Sequence, residues 1–327
     1  MYAVVLHTFG PAENLRYESV ADPEPGPGQV RISVRAAGVH LVETLMRSGL
    51  VSETLPPLPE LPSVFGGEVA GTVDLVGSGV DPAWIGSRVV TSAGTPGGYA
   101  ELAVADLASV HRVPEGLGHE AAVAMVVTGA TALQLLDVAE LTSDDVVLVT
   151  SAAGGIGRLV VQYARDLGAT VIGAAGGPAK VAAVRELGAD LAVDYDERSW
   201  EKTLAEQLGL SGRAVTVVLD GVGGDKARAA FETIADGGRY VTIGNASQEE
   251  FEPAPETLAE RDVTAIDALT RLLERPEQGP EFEARALAAA GEGRLVPTVQ
   301  TFPLSEAAAA HAALEARATT GKVVLVP

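Results

Sequence analysis

Residues 146–168 read VVLVTSAAGGIGRLVVQYARDLG, and the order of their parts decides the fold class. The opening VVLV is aliphatic without polar alternation, as expected of a strand covered on both faces. Ser151, Ala152, Ala153, Gly154, Gly155, Ile156 and Gly157 follow at once as a turn of mostly small residues, and LVVQYARDLG behind them carries a helical pattern. Strand, tight turn and helix in this order form the dinucleotide-binding unit. Ala152, Gly154 and Gly157 fit its fingerprint spacing, with Ala in place of the first Gly. Small residues there let backbone amides at the helix N-terminus approach a pyrophosphate. A glycine-rich turn can also join a strand to a helix and bind nothing, so the context has to decide.

Working outward, further apolar runs at 170–174, 190–193, 215–219 and 239–243 alternate with helical stretches. This is the pattern of βαβ units around a buried parallel sheet. The stretch QEEFEPAPETLAER at 248–261 reads as an acidic surface loop and marks a boundary. Upstream, short β segments at 3–6, 29–36, 70–76 and 88–92 are punctuated by PEPGPG, GSG and GTPGG, which suggests an irregular β-rich domain. Downstream, Ala-rich helices at 283–290 and 305–317 precede an apolar strand at 321–327. An isolated strand cannot satisfy its backbone groups, so this one is expected to return to the N-terminal β domain. The expected domains are 1–122 with 263–327, and 123–262.

The formal net charge of −21 disfavours nucleic acid as a partner, because such binding depends on clustered Lys and Arg. No run of about 18 consecutive apolar residues is seen, and MYAVVLHTFG carries no basic stretch ahead of an apolar one, so a cytoplasmic protein without membrane contact is expected. With no cysteine there is neither a disulfide nor a thiolate-ligated metal site. The five histidines, His7, His40, His111, His119 and His311, show no metal-ligand spacing.

An acid about 20 residues past the fingerprint would hold the ribose hydroxyls of NAD. Here the second run ends GAAGGPAK at 173–180 with no acid before the next helix, so a 2′-phosphate would meet no repulsion and Lys180 could pair with it. NADP(H) is the expected cofactor.

These residues carry a resemblance. AVVLHTFG, ADPEPGPGQV, RAAGV, RSGL, GGEVAGTVDLVGSGV, GGYAE, GATALQLL, SAAGGIG, LDGVGG, IGNAS and TTGKVVLVP occur in the order seen in zinc-independent quinone oxidoreductases. These are the zeta-crystallin-like branch of the medium-chain dehydrogenase/reductase superfamily, which the chain resembles over essentially its whole length. The resemblance implies an α/β fold: a Rossmann doubly wound parallel sheet inserted in a β-rich GroES-like catalytic domain, with the active site between them. It also implies a homodimer. As cofactor-binding residues it implies Thr131, Ala153, Gly154, Gly155, Ile156, Gly157, Gly176, Lys180, Tyr195, Gly221, Val222, Ile243, Gly244, Asn245 and Lys322.

The candidate catalytic residues are His40, Glu43 and Val51. Zinc-dependent relatives carry Cys where this chain has His40, and a His-Glu pair where it has Gly67-Glu68. Quinone-reducing relatives usually carry Asn at the His40 position, Asp at Glu43 and Tyr at Val51. His40 could donate a hydrogen bond to a substrate oxygen as charge develops, or simply fill the site. The implied substrate is a small quinone or enone. An enone or enoyl reductase and a low-turnover NADPH-binding structural or regulatory protein remain as alternatives, while alcohol dehydrogenation would call for the missing zinc.

Overall fold

The computed structural model describes residues 1–52, 57–92, 97–210 and 212–327. The chain forms two compact units, Met1–Ala130 with Glu283–Pro327, and Thr131–Phe282.

The first unit is built on the strand Gln29–Val39, whose residues alternate between half-buried and buried up to Val34 and, after exposed Arg35, are buried to its end. Its antiparallel partner Glu68–Val76 lies on one side and Lys322–Val326 on the other. The C-terminal strand thus returns to the N-terminal β domain as expected, with Val323 opposite Val39 and Leu325 opposite Ala37. A parallel strand Val299–Pro303, which the sequence reading did not find, completes that edge. Arg88–Thr91 and Val110–Arg112 extend the other edge, Leu102–Asp106 pairs with the first half of Gln29–Val39, and a small sheet of Leu15–Ser19, Tyr2–Leu6 and Ser63–Val64 lies apart. Val30, Ile32, Val34, Val69, Val73 and Val89 point into one apolar core. Burial of such side chains contributes roughly 1.5–3 kcal/mol each.

The second unit is a six-stranded sheet in the order Leu191–Asp194, Thr170–Ala175, Val146–Val149, Val215–Asp220, Ile234–Thr242 and Thr264–Asp267, with every pairing parallel. Val146–Val149 is buried at every residue and sits where the strand order turns back. In doubly wound sheets that position leaves a crevice at the carboxyl ends of the strands, where ligands bind. The α/β fold expected from the sequence is the one observed.

The second boundary falls twenty residues later than 262/263, because Thr264–Asp267 joins the sheet. Its sequence TAID is short and mostly exposed at the sheet edge, so it lacks the apolar run that marked the other strands. The stretch read as a surface loop also contains the helix Pro255–Glu260.

Residues 119–139 are long and apolar enough to span a bilayer by length and composition. The helix ends at Val126 and restarts at Thr128, and 72% of its most apolar window is buried in the fold.

Candidate functional site

In the second unit, three strand ends converge. Val146–Val149 runs into Ser151, which takes the left-handed φ of 52°, a conformation that costs a non-glycine residue free energy and is concentrated at functional sites. The turn then closes through Gly154 N–H on Ser151 O at 2.9 Å, and the helix Gly155–Leu167 begins. A Cβ on Gly157 would lie 2.3 Å from Ser151 O, so the helix can pass this close only with glycine there. The first four N–H groups of a helix have no intrahelical partner. They carry the positive end of the helix dipole, which suits them to an anion.

A buried carboxylate that the sequence reading passed over organises the neighbouring turn. Asp220 accepts hydrogen bonds from the Thr150 hydroxyl at 2.7 Å, the N–H groups of Val222 and Gly223 at 3.2 and 3.0 Å, and the Tyr240 hydroxyl at 3.1 Å. Burial, and then the charge of Asp220, raises the Tyr240 phenol, which therefore stays protonated and donates. Gly221 N–H donates in turn to Thr150 Oγ1 at 2.9 Å, so the strand ends after 149 and 220 are locked together. Ile243, Gly244 and Asn245 complete this edge: Ile243 N–H donates to Asp220 O at 2.7 Å, Gly244 packs on Gly221, and Asn245 is exposed next to Gly223.

At the end of Thr170–Ala175, Gly176 and half-buried Lys180 lie as expected at a strand-to-helix turn, with Tyr195 beside Gly176. The expectation that a phosphate would meet no acid here is corrected. Asp194 and Asp196 arrive at this turn from the adjacent strand, Asp194 accepting from Gly177 N–H at 2.9 Å. Both are neighbours of GAAGGPAK through the sheet and not through the chain, so its local sequence carries no sign of them. Thr131 lies, half buried, in the helix Thr128–Ala139.

In the first unit, His40 follows Gln29–Val39 and caps the helix Leu41–Ser48. Its N–H donates to Glu43 Oε2 at 2.7 Å, and the Tyr99 hydroxyl donates to the same oxygen at 2.7 Å. Glu43 is buried, and these two donors commit it to holding the helix start. Behind it, the Tyr99 hydroxyl oxygen lies 3.1 Å from His311 Nε2. Burial, and secondarily the Arg47 charge, pushes the His311 imidazole down to about 3, so it is neutral and its Nε2–H donates to Tyr99.

His40 Nε2 lies 3.0 Å from Glu68 Oε1, and Lys322 Nζ lies 2.5 Å from the same oxygen and 3.1 Å from His40 Nδ1. Glu68 has no solvent exposure. Its burial would raise the carboxyl, but His40 and then Lys322 outweigh that and hold it at about 2, so it is a carboxylate. Gly38 makes room for it, since a Cβ there would come 1.8 Å from Glu68 Oε1. His40 is the outermost of the three, its side chain 22% exposed against 6% for Lys322. His40, Glu43 and Lys322 thus come together in one unit, with Lys322 spent on Glu68 and His40. Val51, 80% exposed, makes no part of this cluster.

Comparison with known proteins matches residues 26–115 to the alcohol dehydrogenase GroES-like domain and residues 187–325 to the zinc-binding dehydrogenase domain. The quinone oxidoreductase of Pseudomonas aeruginosa is 35% identical over 324 residues, covering 98% of this chain and 97% of that one. The chain belongs to the quinone oxidoreductases of the medium-chain dehydrogenase/reductase superfamily. A 2-haloacrylate reductase of a Burkholderia species is 33% identical, over 99% of this chain and 98% of its own. The crystal structure of Escherichia coli quinone oxidoreductase complexed with NADPH superposes with a TM-score of 0.84 at 29% identity, covering 100% of each chain.

The name of the second matched domain raises zinc, and the donor set does not fit it. Among the described residues no three His, Cys, Asp or Glu side chains gather as a metal site. Where His40 meets buried Glu68, the Lys322 ammonium already stands against the carboxylate oxygen. Sequence reading missed Asp220, Thr150, Tyr99 and the pairing of Glu68 with Lys322. Only the Asp in LDGVGG, at a strand end before two glycine turns, offered a local signal.

Proposed function

We propose that this chain is an NADPH-dependent oxidoreductase that reduces quinones or related electron-poor carbonyl compounds without zinc. The observation that carries the reading is the turn from Ser151 to Gly157, with Gly157 packed on Ser151 O at the switch point of the parallel sheet. In this reading the first-turn amides of Gly155–Leu167 hold the coenzyme pyrophosphate, and the turns at Gly221–Gly223 and Ile243–Asn245 line its path. NADPH, when bound, supplies hydride to the acceptor. The chain then has to stabilise the oxyanion that forms and provide a proton, for which His40 and Lys322 carry exchangeable N–H groups fixed by Glu68. Glu43 acts here as a positioning residue, because both of its donors serve to hold the segment around His40. The largely exposed strand Thr264–Asp267 at the edge of the sheet supports a homodimer made by edge pairing.

The test is loss of reduced-nicotinamide absorbance when the purified protein is mixed with NADPH and a panel of benzoquinones, naphthoquinones and enones. Turnover with quinones supports the reading. The likeness to a 2-haloacrylate reductase favours a second one, and turnover confined to activated alkenes would replace the first with it. NADPH that binds but is consumed by no acceptor would leave a binding protein.

A further inference from the structure

The adenosine ribose of a nicotinamide dinucleotide is received at the end of the second strand of a Rossmann sheet, where an acid bonds the 2′-hydroxyl or a base accepts the 2′-phosphate. In this chain Thr170–Ala175 ends in Gly176-Gly177 and supplies no acid, while the base Lys180 follows in the first turn of the next helix, Pro178–Glu186. The neighbouring strand supplies both the acid and the means of placing it. Ala175 pairs with Asp194, so the chain leaving Leu191–Asp194 emerges alongside Gly176. Asp194 Oδ1 accepts from the N–H groups of Gly177 and Asp196, each at 2.9 Å, which ties the two turns together.

That tie brings Asp196 over Gly176. A Cβ on Gly176 would meet Asp196 Oδ2 at 2.5 Å and Tyr195 Cε2 at 3.1 Å. The other carboxylate oxygen, Oδ1, is ion-paired with Lys226 Nζ. Lys226 comes from a third segment, the helix Gly224–Glu232, donates to Tyr195 O at 2.8 Å and lies 4.4 Å from the centre of the Tyr195 ring. One carboxylate and one ammonium therefore meet at the corner where the ribose binds.

The geometry points to Asp196 as the residue that limits discrimination between NADPH and NADH, by holding Lys226 and setting a negative charge at the 2′-position. This rests on the nicotinamide reading above. A carboxylate accepts hydrogen bonds from ribose hydroxyls but repels a phosphate carrying close to two negative charges. A 2′-phosphate has to compete with Asp196 for Lys226, whereas NADH leaves the ion pair intact. The preference of the chain for NADPH over NADH is therefore narrowed.

Binding is measured by fluorescence titration of NADPH and NADH against the wild type, Asp196→Asn and Lys226→Met at low and high salt. Asp196→Asn is expected to raise the ratio of the NADH to the NADPH dissociation constant by about tenfold at low salt, and Lys226→Met to lower it by about as much, with both effects shrinking as salt screens exposed charges. A ratio that Asp196→Asn leaves within about twofold of the wild type overturns the inference while the nicotinamide reading stands. A wild-type protein that binds neither coenzyme overturns that reading, and this inference falls with it.

Discussion

Lys322 Nζ stands 2.5 Å from Glu68 Oε1, so a residue of the C-terminal strand neutralises a carboxylate that has no contact with solvent. Removing one member of a buried pair costs about 3–5 kcal/mol, whereas removing both is far less damaging, and without Lys322 the Glu68 charge is left with His40 alone. Lys322→Met should therefore destabilise the protein by about 3 kcal/mol or more, and adding Glu68→Gln should restore part of the loss. Denaturant melts of the wild type, both single variants and the double variant check this. Strictly additive losses would show that the two residues do not act as a pair.

His311 gives the stability of the protein a predictable pH dependence. Its imidazole is held at about 3, against about 6.5 when exposed, mainly by burial beside Tyr99. The unfolded chain thus takes up a proton there that the folded one refuses, and the native state loses stability as pH falls from about 6.5 towards 3. Within that window the contribution is about 1.4 kcal/mol per pH unit. His311→Gln should flatten the dependence of the unfolding free energy between pH 6 and 5 by about that amount, even if it lowers stability at pH 7. An unchanged slope would mean that His311 is protonated in the native state.

How much of this was legible in the sequence depends on whether the determining contact is local. The strand, turn and helix around Gly154 and Gly157 are adjacent in the chain, and the parallel sheet follows from five apolar runs whose burial on both faces leaves a plain signature. Thr264–Asp267 escaped because an exposed edge strand needs no apolar run. Asp196 reaches Gly176 through the strand register Ala175 to Asp194, and Lys322 reaches Glu68 through the pairing of Val323 with Val39. Neither follows from spacing along the chain, since each depends on which strands lie side by side. His40 is legible in the sequence as a candidate donor to substrate, but Glu68 and Lys322 beside it are not, because they come from other strands.

Asp220 should be intolerant of the near-isosteric Asn. Its two oxygens receive the Thr150 and Tyr240 hydroxyls and the amides of Val222 and Gly223. An amide keeps one acceptor oxygen and turns an NH2 towards donors, stranding buried groups at about 1–3 kcal/mol each. Asp220→Asn is expected to lower stability by about 2–4 kcal/mol, and Tyr240→Phe, which removes a single donor, by about 1 kcal/mol. Thermal and denaturant unfolding test the order of the two. Equal losses would argue against the carboxylate as organiser of the turn.

Gly157 separates the coenzyme site from the fold that carries it. Its Cα face packs on Ser151, so the methyl group of Gly157→Ala would fall 2.3 Å from Ser151 O and 2.9 Å from Ala152 Cα, both backbone atoms that cannot swing away. The helix must move outward or the Ser151 turn must flatten, and either displaces the first-turn amides from the position a pyrophosphate would occupy. At Gly154 the same methyl group would meet Ser151 O and Oγ at 3.2 Å, a contact that a shift of a few tenths of an ångström relieves. Gly157→Ala should therefore weaken NADPH binding by at least about tenfold, about 1.4 kcal/mol, with Gly154→Ala affected less. Titration of each variant alongside its circular dichroism spectrum makes the comparison. Gly157→Ala binding as well as the wild type, with an intact spectrum, would show that the coenzyme does not rest on this turn.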